Sequence, residues 1–194
     1  MADFWLYFKL GFEHVLDVTA YDHVLFIAVL VAAYSIKQWK RILGLVTIFT
    51  IGHSVSLLLA AYQVMAIDGD LIEFLIPVSI IFTAFYNMMT VGRNKVSSRS
   101  IFLYLITLFF GLVHGFGFST YFNMLSQGTS DLLLMLVEFA LGIEASQVVV
   151  VLGILLLSAI FQNVLRYSKR DWVLIISSVV LGLTLPILAE NWFF

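Results

Sequence analysis

Four histidines and several acidic residues interrupt or adjoin the apolar stretches of this chain, where ionisable side chains are not expected. An ionisable group inside a bilayer is costly unless it has a partner, so each one marks a candidate functional site. Imidazole and carboxylate are ligands of divalent transition metals, and the absence of cysteine leaves only nitrogen and oxygen donors. The candidate metal ligands are His14, Asp17, Asp22, His23, His53, His114, Glu138 and Glu144.

The first group of these residues lies in one short segment near the beginning of the chain. On a regular helix His14 and Asp17 share a face, whereas His23 points to the opposite side. We therefore expect the helix to break around Asp17–Tyr21, because irregular backbone at membrane depth is tolerated where it lines a cavity or is buried in protein. The alternative is an interfacial helix start at which Asp17 or Asp22 caps the helix.

Two further histidines lie in longer apolar stretches. His53 follows Thr50 at helical spacing, which predicts a polar stripe that faces the interior of a helix bundle. His114 lies between Gly111 and Gly115, and small residues four positions apart allow another helix to approach closely. The alternatives are structural: His53 would form hydrogen bonds between helices, and His114 would be a buried histidine between two packing glycines.

Two glutamates share one apolar stretch that contains no basic residue. At this depth Glu138 and Glu144 are expected to be protonated or to bind a cation. They lie about 120° apart on an ideal helix, so one face cannot present both. Either Gly142 distorts the helix and brings both acids to one site, or the two acids have separate roles. Glu144 shares its face with Gln147.

The composition indicates which elements hold these residues. Hydrophobic residues make up 62% of the 194-residue chain and charged residues 11%, against about 25% charged in soluble domains. We expect residues 1–194 to form one all-α, polytopic integral membrane domain with six transmembrane helices and a short N-terminal interfacial helix. The six predicted spans are Tyr21–Ile36, Arg41–Met65, Leu71–Val91, Ser100–Phe118, Leu132–Phe161 and Trp172–Leu188.

The loops predict the orientation in the membrane. Nine of the ten Lys and Arg residues fall in the first, third and fifth loops, and Lys9 is the exception. By the positive-inside rule these loops are cytoplasmic, so both termini are expected in the periplasm of a bacterial inner membrane. At 1.5 Å per helical residue, His53, His114 and Glu138 then reach a similar depth near the outer face. The loop residues are Lys37, Lys40, Arg41, Arg93, Lys95, Arg99, Arg166, Lys169 and Arg170.

Several motifs, in order along the chain, resemble the HupE/UreJ family of small membrane proteins. They are Gly11-Phe12-Glu13-His14 through Tyr21-Asp22-His23-Val24-Leu25-Phe26, Phe49–Leu57 around His53, Glu73–Ser79 with Asn87, Gly111–Phe118, and Phe139–Gln147. The resemblance implies a nickel or cobalt permease associated with hydrogenase or urease. It maps the family's His-x5-Asp-His signature onto His14, Asp22 and His23, with seven residues between the first two here.

The leading expectation is secondary uptake of a divalent transition metal of the nickel or cobalt type. The histidines and Asp22 would capture the ion near the outer face, and the two glutamates would pass it inward or couple a proton. The chain has no Walker motif, so we do not expect it to hydrolyse ATP.

Two rival functions use the same residues. Three histidines and a carboxylate around Zn²⁺ form a hydrolase site, which near a membrane surface would suit a lipid-like substrate. A weaker rival is an accessory membrane subunit with a structural metal. The bound ion is therefore expected to be Ni, Co or Zn, and the other partners are membrane lipids. A net charge of −2 gives no case for nucleic acid, and the sequence leaves open whether the chain forms a homo-oligomer.

Overall fold

The computed structural model describes residues 2–65, 67–92, 100–127, 129 and 131–192. Within these ranges the regular secondary structure is entirely helical. A 3₁₀ turn at Ile36–Gln38 precedes the third α-helix, and a π-helical turn at Ile160–Val164 follows the sixth. The α-helices are α1 (Ala2–Val15), α2 (Asp22–Ala32), α3 (Trp39–Ala61), α4 (Gly69–Thr90), α5 (Ser100–Ser126), α6 (Leu132–Ala159) and α7 (Lys169–Glu190).

Five of these helices, α3 to α7, are long and apolar enough to cross a membrane. Their outward faces carry large exposed apolar side chains such as Leu105, Phe109 and Leu156, which suit contact with lipid. The chain is therefore an integral membrane protein. The third loop, with Arg93, Lys95 and Arg99, lies outside the described residues, and the predicted orientation stays a prediction.

The first predicted span, Tyr21–Ile36, differs from the helix that the structure contains. α2 ends at Ala32, and its 11 residues extend only about 17 Å, whereas the hydrocarbon core is about 30 Å thick. All its residues except Asp22 and Val24 are buried, and it packs against α4, α6 and α7. A helix that is apolar on every side belongs in an interior. The six-span count is therefore not confirmed.

The N-terminal helix α1, expected to lie in the membrane interface, packs closely along α6. A Cβ atom on Gly11 would collide with the carbonyl oxygen of Phe139, and one on Gly142 would collide with that of Phe8. Gly142 is thus a packing contact for α1. It does not distort α6, which runs without interruption from Leu132 to Ala159.

Glycines also bring α3 and α5 together. A Cβ atom on Gly111 would collide with the carbonyl oxygen of Phe49, and one on Gly115 would collide with that of His53. The close helix approach predicted from the spacing of these two glycines is therefore confirmed. This approach brings the turn of α3 that contains His53 against the turn of α5 that contains His114.

Candidate metal centre

The predicted break in the first polar segment is confirmed. α1 ends at Val15 and α2 begins at Asp22, so His14 lies in the last turn of one helix and His23 in the first turn of the next. Their ring centroids are 4.7 Å apart. The break thus brings together two side chains that a continuous helix would point in opposite directions.

His53 of α3 completes a cluster of three histidines, here called the histidine triad (His14, His23 and His53). Each offers one ring nitrogen that lies within 4.8 Å of the other two. Among the described residues, Nε2 of all three and Nδ1 of His53 are buried without a hydrogen-bond partner. A buried polar atom without a partner costs about 1–3 kcal/mol. The geometry and the free nitrogens fit a metal ion bound by three imidazoles.

Asp22 orients one of these imidazoles. Its Oδ1 accepts hydrogen bonds from His23 Nδ1 at 3.2 Å and from the His23 backbone N–H at 2.9 Å. A proton on Nδ1 leaves the lone pair on Nε2, which is buried without a hydrogen-bond partner among the described residues. A carboxylate behind a ligating histidine is a common arrangement in metal sites, because it fixes the tautomer and raises the basicity of the ring. Asp22, predicted as a direct ligand, contacts His23 through its Oδ1 in this structure.

His114 lies next to the triad but outside it. Its Nδ1 donates to the carbonyl oxygen of Phe110 at 2.8 Å, which leaves Nε2 as a buried acceptor without a partner among the described residues. Its ring centroid is 5.2 Å from that of His23, and it contacts Phe26 and Phe49 at 5.4 and 5.1 Å. All four histidines thus approach one place, although only three of them form the tight group.

A comparison with protein families identifies the chain. The family model described as HupE / UreJ protein matches residues 1–193. The chain belongs to the HupE/UreJ family. No curated protein and no solved structure matches it. The resemblance read from the motifs is thus confirmed, and the three histidines of the triad lie in segments that carried it.

Two predicted acidic ligands do not belong to the group of closely spaced ring nitrogens in this HupE/UreJ protein. Asp17 is exposed in the connection between α1 and α2, where its Oδ1 accepts from the Thr19 hydroxyl at 2.7 Å and the Thr19 backbone N–H at 2.8 Å. These two hydrogen bonds lower the pKa of Asp17. Glu138 is buried on α6 and forms no hydrogen bond or ion pair within the described ranges. The structure therefore assigns neither acid to the triad.

Glu144 contacts a different part of the HupE/UreJ protein. Its Oε1 accepts from the Thr47 hydroxyl and its Oε2 from the Thr50 hydroxyl, each at 2.6 Å. Both threonines belong to α3, and Thr50 precedes His53 by one helical turn. The two glutamates thus have separate surroundings, the second of the two alternatives that the sequence left open.

Phenylalanines enclose the triad, although none was predicted as a site residue. The ring centroid of Phe118 is 3.9 Å from that of His14, and Phe49 lies 6.0 Å from His23. These apolar rings limit the access of water to the imidazoles. The spacing could have revealed them, because Phe118 follows His114 by four residues and Phe49 precedes His53 by four, which places each pair on one helix face.

Proposed function

We propose that the chain is a membrane permease for a divalent transition metal of the nickel or cobalt type. The observation that carries the proposal is the histidine triad, in which one ring nitrogen of each imidazole lies within 4.8 Å of the other two and Nε2 of each ring is buried without a partner among the described residues. Imidazole suits nickel, copper, zinc and iron among the divalent metals. Membership of the HupE/UreJ family, with the nickel and cobalt transport that its motifs imply, supports this reading.

The donor set suits an ion that must be released again. A transported ion has to bind well enough to enter and weakly enough to leave. Three neutral imidazoles leave further coordination positions open for water or for the next ligand on the path. Asp22 adds one negative charge behind His23 without occupying a position in the triad.

We place the entrance of the path on the periplasmic side of a bacterial inner membrane, with both termini on that side. The asymmetry of the basic residues supports this orientation. α6 then runs inward from Asp131, and its two acids come in the order Glu138, Glu144 along that direction. They are the proposed groups that receive the ion, or a coupling proton, after the triad.

Uptake into proteoliposomes tests the proposal. Wild-type protein should accumulate radiolabelled Ni²⁺ or Co²⁺, and His53→Ala should abolish uptake because the remaining two imidazoles leave the site incomplete. Thr184→Val is the matched control, since it also removes a fully buried polar group but does so on α7. Folded, metal-loaded wild-type protein that takes up none of Ni²⁺, Co²⁺ and Zn²⁺ would contradict transport.

The alternative function is a zinc-dependent membrane hydrolase that acts on a lipid-like substrate. Three histidines with an open fourth position also fit this chemistry, in which Zn²⁺ activates a bound water. The uptake assay separates the two functions. Hydrolysis of phospholipid by protein loaded with Zn²⁺, with no metal uptake, would favour the enzyme.

A further inference from the structure

A second group of polar side chains lies between α3 and α6, apart from the histidine triad. We call it the oxygen cluster (Thr47, Thr50, Glu144 and Gln147). Thr47 and Thr50 each contact one carboxylate oxygen of Glu144 at 2.6 Å, and Thr50 contacts Oε1 of Gln147 at 2.8 Å. The carbonyl oxygen of Val46 is 3.2 Å from the Thr50 hydroxyl. Six oxygen atoms from two helices are thus linked through short contacts.

The charge of the cluster has no basic partner within the described part of the chain. The ion pairs found there join Lys9 with Glu13 and Asp22 with His23, and neither includes Glu144. A carboxylate in an apolar span needs a proton or a cation. An ionised Glu144 can accept from both threonine hydroxyls, as the contacts show, and then keeps its negative charge for a cation.

Hydrogen bonds alone do not satisfy the oxygen cluster. The Thr50 hydroxyl has a single hydrogen but lies near three acceptor oxygens, those of Val46, Glu144 and Gln147. Gln147 is fully buried, and its Nε2 has no partner within the described residues. If the amide is turned so that Nε2 donates to Thr50, its oxygen loses its partner instead. A cation beside these oxygens would relieve the crowding of acceptors around the Thr50 hydroxyl, whereas Nε2 of Gln147 would still need an acceptor.

We propose that the oxygen cluster binds a hard monovalent cation of the Na⁺ class, separately from the transition metal. Carboxylate and carbonyl oxygens suit hard cations, whereas transition metals favour the imidazoles of the triad. The cluster carries a single carboxylate, which balances one positive charge. The inference rests on contacts of α3 with α6 and does not depend on the function proposed for the triad.

Equilibrium binding of ²²Na⁺ to the purified full chain in detergent tests the inference, together with thermal melts in NaCl and in choline chloride at equal ionic strength. Wild-type protein should bind Na⁺ saturably and melt at a higher temperature in NaCl, because a ligand of the native state stabilises it. Glu144→Gln should abolish both effects. Thr50→Val should weaken binding at least roughly tenfold, or about 1.4 kcal/mol, whereas Thr50→Ser, which keeps the hydroxyl, should retain it.

The matched control is Thr184→Val on α7, since the Thr184 hydroxyl also donates to the carbonyl four residues earlier, at 2.7 Å. This control should bind Na⁺ like the wild type, and so should His53→Ala, which separates the oxygen cluster from the function proposed for the triad. Absence of saturable Na⁺ binding in the wild type would overturn the inference. Equal Na⁺ binding by wild type, Glu144→Gln and Thr50→Val would overturn it too, as would a stabilisation that responds to pH but not to Na⁺.

Discussion

The protonation pattern of two histidines prepares their ring nitrogens for a metal. Asp22 holds the Nδ1 proton of His23, and the Phe110 carbonyl holds that of His114. In both rings Nε2 then carries the lone pair, and it is buried without a partner among the described residues. The energy of fixing these tautomers is therefore contributed by the fold before an ion arrives.

The first prediction concerns the orienting carboxylate. Asp22→Asn should weaken Ni²⁺ binding roughly 10- to 100-fold, the usual effect of losing a group behind a metal ligand, because the neutral amide no longer raises the basicity of His23. Isothermal calorimetry on the purified chain measures the affinity. Asp17→Asn is the matched control and should leave it unchanged, since Thr19 holds that exposed carboxylate. An equal loss in both variants would make Asp17 a ligand after all.

The residue types in the site could be predicted from sequence, but their grouping could not. Histidines at membrane depth are recognisable because they break an apolar pattern, and all four do approach one place. Which three form the tight group depends on how the helices pack in three dimensions, which residue spacing does not contain. The carboxylate of Asp17 accepts hydrogen bonds from Thr19. Residue spacing does not predict that this local interaction forms in place of a contact with the site.

At the scale of elements, periodicity and hydropathy predicted α3 to α7 to within a few residues, apart from the eight residues by which α5 continues beyond Phe118. They failed for α2 because the apolar count continues through Ala33 and Tyr34 after the helix has ended at Ala32. The role of Gly142 was also missed. A glycine inside a helix indicates close packing or distortion equally well, and only the position of α1 distinguishes them.

A second prediction follows from the contact between α1 and α6. Gly142→Ala should displace α1, because the added Cβ collides with backbone and not with a flexible side chain. Overpacking of this kind costs about 1–3 kcal/mol of stability. It should also lower Ni²⁺ affinity by at least roughly tenfold, equivalent to about 1.4 kcal/mol, since His14 moves with α1. Calorimetry and thermal melts measure the two effects.

Gly153→Ala is the matched control in the same helix, where the added Cβ meets no atom within 4 Å. It should keep the metal affinity, and alanine in place of glycine in a helix interior should add about 0.5–1 kcal/mol of stability. Unchanged metal binding in Gly142→Ala would show that the contact between α1 and α6 does not position His14.

At the scale of the whole molecule, the orientation prediction can be checked cleanly because the chain contains no cysteine. Single substitutions Lys37→Cys, in the 3₁₀ turn before α3, and Asp70→Cys, in the first turn of α4, place one exposed thiol on each side of the predicted membrane. In intact cells a membrane-impermeant maleimide should label the cysteine at 70 and spare the one at 37. Labelling at 37 alone would reverse the orientation and, with it, the proposed direction of the metal path.

The docking of α1 on α6 has a consequence for biosynthesis. All three histidines of the triad belong to helices that leave the ribosome early, α1 to α3, but the surface that positions α1 includes Gly142, which is translated much later. Until α6 has been inserted, the nascent chain contains all three histidines but lacks the α6 surface that positions α1, and with it His14. If the triad binds the proposed metal, an incomplete chain could not yet hold the ion, and metal binding would follow membrane insertion of α6.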